Sequence, residues 1–128
     1  MAEYLYFNSR DEFLRLDISK IMYFESDGNY TNIVMANKLK CTVGLSMTQV
    51  EKYLSLALKE KASCFVRIGK CCILNVNHVV RIDVPHQHVV VTDYTQGGYQ
   101  IPVSKEALKQ LKSIMSESVK ARLGREQK

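Results

Sequence analysis

Two apolar runs of β character meet at an Asp-Gly turn, and this pattern constrains the chain more than any other. Ile21-Met22-Tyr23-Phe24 leads through Asp27-Gly28-Asn29 into Tyr30-Thr31-Asn32-Ile33-Val34-Met35. Asp-Gly between two such runs is the strongest local turn signal in the chain and favours a hairpin connection, so the two runs are predicted to pair as antiparallel neighbours. A second turn at Asn37-Lys38 feeds Leu39 to Val43, which makes three consecutive strands. Upstream, Tyr4 to Phe7 and Phe13 to Leu16 read as short strands, and Asp17 to Lys20 as a single helical turn. Downstream, Cys64 to Ile68, Cys71 to Leu74, His78 to Val84, Val89 to Thr92 and Tyr99 to Ile101 read as strands, the last two flanking a Gly-Gly loop, Tyr94 to Gly98.

Two segments break the β pattern. Ser46 and Gln49 have the spacing of a capping box, and Val50, Tyr53, Leu54, Ala57 and Leu58 follow at helical intervals as one apolar stripe. Ser104 is the expected N-cap of a second helix, with Glu106 in its first turn and Ala107, Leu108, Leu111, Ile114 and Met115 as its apolar face. The fold class expected is mostly β, antiparallel, with two helices. A chain of 128 residues without repeats or linkers is one domain's worth. Residues 1–20 are read as strands leading into a body at 21–115, and 116–128 as a fraying basic tail bearing Lys120, Arg122, Arg125 and Lys128.

Charge is unevenly placed. Residues 1–60 carry a net −1 and residues 61–128 a net +6. A basic half favours polyanionic partners, nucleic acid first, against the plainer reading of a solvated basic surface. No apolar run approaches the ~20 residues of a membrane span, and the N-terminus lacks the pattern of a secretion signal. The cysteines, Cys41, Cys64, Cys71 and Cys72, include no C-x-x-C and an adjacent pair, so neither a bridge framework nor a zinc site is expected. A reducing cytoplasm suits them.

Enzyme motifs are missing: no phosphate-binding glycine loop, nucleophile elbow or zinc-binding H-E-x-x-H occurs. His86-x-His88 could place two imidazoles on one face, yet further ligands at metal spacing are not visible, so exposed turn histidines are the better reading. Glu25 has no second acid, histidine or nucleophile at a meaningful spacing and is read as structural. No enzyme activity, metal or cofactor is expected. In the Cys71-Cys72 pair, strand alternation predicts one buried thiol.

What remains is a set of polar and basic residues in turns: Asn29, Thr31 and Asn32; Arg67, Gly69 and Lys70; Ser104 and Lys105. Asn and Thr can bond base edges, Lys and Arg neutralise phosphates, and a helix N-terminus offers free amides to a phosphate. Polar residues belong in turns in any case, so only their gathering on one face would give them meaning.

Four blocks occur in one order: Ile21 to Tyr30, the Ser46 to Leu58 helix, Phe65-Val66-Arg67-Ile68-Gly69-Lys70-Cys71-Cys72-Ile73-Leu74-Asn75, and Ile101-Pro102-Val103-Ser104. Together they resemble the LytTR family of DNA-binding domains across residues 21–112. The resemblance implies a mostly β fold that has no helix-turn-helix and reads DNA through loops and strand ends, on two successive major grooves of a direct-repeat site. By motif position it implies base contact at Thr31, groove contact at Gly69 and Lys70, and a third contact at Ser104 and Lys105, while Glu25 and Asn75 match structural positions. Many members carry histidine at the position of Gly69 and serine at that of Cys71, so here the loop contact falls to Lys70. Members serve mainly as output domains of bacterial response regulators. Only about twenty residues precede the matching region, so a free-standing regulator or the C-terminal piece of a longer protein is expected. The function expected is sequence-specific binding of double-stranded DNA by a transcriptional regulator, with a homodimer forming on DNA. The alternative is a small β module that keeps the fold and binds a partner protein or ligand.

Overall fold

A computed structural model describes residues 3–95 and 97–126, with side chains described through Glu117. The described residues form ten strands and two longer helices. In order they are β1 (Tyr4–Asn8), β2 (Phe13–Asp17), β3 (Ile21–Asp27), β4 (Tyr30–Met35), β5 (Lys40–Val43), α1 (Met47–Leu58), β6 (Phe65–Ile68), β7 (Cys72–Asn75), β8 (Val79–Asp83), β9 (His88–Thr92), β10 (Gly98–Pro102) and α2 (Lys105–Glu126). They form a β1–β2 hairpin, a five-stranded sheet in the order β5-β4-β3-β7-β6, and a three-stranded sheet in the order β10-β9-β8. Every pairing is antiparallel.

The five-stranded sheet lies in the middle, with both faces buried. On one face Phe24 opposes Ile33 and Ile73, and Met47, Val50, Leu54 and Leu58 of α1 cover them with Leu5 and Leu16 of the hairpin. On the other, Tyr23 opposes Val34 and Leu74, and Val89, Val91, Leu108 and Leu111 cover them. Double coverage explains why β3 and β4 read as near-continuous apolar runs. Phe24 is fully buried, and truncating such a side chain to alanine costs about 3–5 kcal/mol.

Strict alternation fails once in β3. The register shifts between Ile21 and Tyr23, so Met22 and Tyr23 pack on the same side while Ile21 and Phe24 share the other. An extra residue inserted into one strand of a pair has this effect.

Helix α1 begins as its sequence predicts. Ser46 Oγ accepts from Gln49 N at 3.2 Å, and Gln49 Oε1 accepts from Ser46 N at 2.9 Å. Its buried positions are Met47, Val50, Leu54 and Leu58; Tyr53 is half-buried and Ala57 is exposed, so the stripe is shifted toward the N-terminus. In α2, Ala107, Leu108 and Leu111 are buried and Met115 half-buried, while Ile114 is 49% exposed. Its backbone stays helical to Glu126, past Ser116 where the apolar pattern weakens. The side chains of Lys120, Arg122, Arg125 and Lys128 lie outside the described residues.

Polar contacts fasten the two sheets at one end. The His78 ring bridges the carbonyls of Ser19 (2.7 Å) and Thr92 (2.9 Å), and Asn37 N donates to Asp93 Oδ2 at 2.8 Å. Asn75 Nδ2 donates to the Ile21 carbonyl at 2.8 Å, a buried structural bond that suits the expectation for this residue.

Candidate nucleic-acid interface

The opposite end of the central sheet carries the β3–β4 turn, the β6–β7 turn and the β5–α1 connection. Asp27 pairs with Tyr30, leaving Gly28 and Asn29 as a two-residue loop in which Gly28 has φ 62°. In the β6–β7 turn Gly69 has φ 64°. Ser26 N donates to Cys71 O at 2.9 Å, which holds the two turns side by side. The structure thereby brings Asn29 together with Gly69 and Lys70, all three exposed. Lys70 makes no ion pair among the described residues, so its ammonium is available to a phosphate.

Three of the residues expected at DNA make side-chain bonds in and beside these turns. Thr31 is fully buried, and its hydroxyl donates to the Leu45 carbonyl at 2.7 Å. Asn32 is 7% exposed; its Oδ1 accepts from Thr42 Oγ1 at 2.7 Å, and its Nδ2 donates to Asp27 Oδ2 at 3.4 Å. Arg67 donates to Glu51 at 2.9 Å, to Thr48 Oγ1 at 3.3 Å and to the Lys70 carbonyl at 3.1 Å. Its charge is spent on Glu51, and its geometry fixes the turn that presents Lys70. Thr42, Leu45, Thr48 and Glu51 were invisible as partners in the sequence, because local spacing says nothing about contacts made across strands.

Ser104 and Lys105 are exposed at the start of α2. Ser104 Oγ accepts from Ala107 N at 3.3 Å, so the serine is the N-cap that its position predicts. Val103 N donates to Gln87 O at 3.0 Å, which ties this entry to the β8–β9 turn. That turn is ordered by Asp83, whose carboxylate lies 3.0 Å from His86 Nδ1 and accepts from His86 N at 3.1 Å. The bond to the His86 ring, the backbone bond to His86 and the nearby Arg81 hold the Asp83 carboxyl below its ordinary range against the opposing effect of burial. His86 and His88 stand with ring centroids 6.3 Å apart, and no group of three or more metal-ligating side chains occurs among the described residues. Glu25 lies 3.7 Å from Lys40 on the sheet.

Of the cysteine pair, Cys72 is buried and Cys71 exposed. Burial, with smaller effects from Glu25 and Cys71, pushes the Cys72 thiol up to about 12. It is an inert packing thiol. No helix among the described residues is long and apolar enough to cross a membrane.

Comparison with the curated proteins finds no match. Among solved structures, the LytTr DNA-binding domain of a response regulator from Bacillus cereus superposes with a TM-score of 0.61 at 23% identity, covering 88% of this chain and 95% of that one. At that identity the likeness is one of fold, and the fold is mostly antiparallel β with two helices. The family of LytTr DNA-binding domains matches residues 11–116. With most of its length inside that match and its two glycine turns side by side at one end of the sheet, the chain belongs to the LytTr DNA-binding domain family.

Proposed function

We propose that this domain binds double-stranded DNA sequence-specifically, as part of a bacterial transcriptional regulator in the cytoplasm. Membership of a DNA-binding family gives the polymer; the finer reading rests on the 2.9 Å bond from Ser26 N to Cys71 O, which holds the two turns together as one projecting end. Asn29 is the candidate for base edges there, and Gly69 lets the backbone approach while Lys70 neutralises a phosphate. Thr31, Asn32 and Arg67 act from behind as supports for these turns. Ser104 and Lys105 form a further contact, where the α2 N-terminus adds free amides to the lysine charge. A direct-repeat site read on successive major grooves fits a domain that presents its contacts at loop tips.

Selection of bound duplexes from a random pool tests this reading. A recovered direct repeat supports it. Absence of enrichment overturns it, in favour of a module that keeps the fold and binds a protein or small ligand.

A further inference from the structure

A pocket of about 560 Å³ opens between the β1–β2 hairpin and the β5–α1 connection. Its walls are mostly apolar, with Tyr6, Phe7, Leu14, Leu45 and Tyr53 contributing, and Glu12 is the one formal charge on its lining. The volume falls in the range that houses small organic ligands. The walls are already in place: the Phe7 and Tyr53 rings meet edge to face with centroids 5.2 Å apart, and the Tyr53 hydroxyl donates to the Tyr6 carbonyl. Glu12 is exposed and forms no ion pair among the described residues. A carboxylate beside aromatic faces attracts a cation twice, through its charge and through the ring quadrupole.

We propose that this pocket binds a small molecule whose aromatic or branched aliphatic body carries a protonated amine, and that its occupancy adjusts the DNA-binding turns. The second half rests on the DNA-binding reading above. The route is short. Leu45 lines the pocket, and its carbonyl holds the Thr31 hydroxyl at the base of the β3–β4 turn. Three residues on, Thr48 of α1 accepts from Arg67, which holds the Lys70 carbonyl. A ligand that moves the Leu45 backbone therefore acts on both turns at once. Leu45 belongs to the loop between β5 and α1, where displacement disturbs no strand ladder.

The test uses the full chain and three probes of similar size: phenethylamine, phenethyl alcohol and phenylpropionate. Amide NMR should show saturable shifts with the amine centred on Tyr6, Leu14, Leu45 and Tyr53, at an affinity about tenfold above that of the carboxylate. Glu12→Gln should remove most of the amine's advantage over the carboxylate, leaving the smaller part that the aromatic rings supply. Equal binding of amine and carboxylate, shifts centred elsewhere, or no saturable shift would overturn the site. With a selected duplex, saturating amine should change affinity about fivefold in the native chain, and Glu12→Gln should need a correspondingly higher amine concentration to reach the same change. Amine binding without that change overturns the coupling. A chain that binds no duplex even without amine counts against the DNA reading instead, since the NMR result stands independently of it.

Discussion

The Arg67 guanidinium reaches Glu51 at 2.9 Å and the Lys70 carbonyl at 3.1 Å, so one cation joins α1 to the β6–β7 turn. A charge already neutralised by a carboxylate releases few DNA counterions. Lys70→Ala should make the slope of log affinity against log salt shallower by about one, while Arg67→Ala should lower affinity and leave the slope nearly unchanged. Duplex titrations at several salt concentrations decide; a slope change of one for Arg67→Ala would make it a phosphate contact. The Arg67–Glu51 coupling, read from a double-mutant cycle in urea, should be about 0.2–1 kcal/mol, since Glu51 is well exposed.

Thr31→Val keeps the shape and β-propensity of the residue but strips the hydroxyl from the Leu45 carbonyl. The expected cost is about 1–2 kcal/mol of stability, with duplex affinity reduced to a similar degree for all sequences. A loss confined to one base position, measured by competition among site variants, would instead give Thr31 a direct contact.

Ser104→Ala should cost about 1 kcal/mol by removing the cap of α2. Ser104→Asp retains a capping oxygen and adds negative charge, so denaturation midpoints should hold while duplex binding weakens. Normal binding by the aspartate variant would place the α2 entry away from DNA.

Cys72→Ser buries a hydroxyl in an apolar site and should cost about 1 kcal/mol or more, whereas Cys71→Ser at the exposed neighbour should be nearly neutral. The pH dependence has a definite sign. With the folded thiol pushed up to about 12, the unfolded chain loses its proton first, so stability is full below about 9 and falls as pH climbs toward 12. Cys72→Ala should flatten part of that alkaline decline; burial also raises the Tyr23 phenol, which accounts for a share that remains. Urea midpoints measured across the alkaline range would show no difference between variant and native chain if the thiol were solvated.

Elements were legible in the sequence wherever local chemistry decides them. The Asp27-Gly28-Asn29 turn, the Ser46 capping box and the Ser104 cap are contacts between residues close in the chain, and all three occur as expected. Met22 was not legible as a bulge, because alternation has no signal for an inserted residue inside an apolar run. The site was harder. Asn29 and Lys70 fall at exposed tips as turn composition suggests, but Thr31, Asn32 and Arg67 bond to residues 10 to 19 positions away. Polarity shows that a residue wants a partner, and only the fold shows whether that partner is protein or solvent.

The two left-handed glycines have a consequence for how such a domain diversifies. A Cβ built on Gly28 or Gly69 meets nothing within 4 Å, so a side chain at either tip collides with no neighbour and pays only the backbone cost of its φ. For L-residues that cost is roughly 1–2 kcal/mol, and less for Asn or Asp, whose short polar groups tolerate this conformation. On the proposed reading of these tips as the DNA contact, single tip substitutions can alter target preference while the doubly buried strands beneath stay unaltered, and new operators can be acquired without an unfolded intermediate.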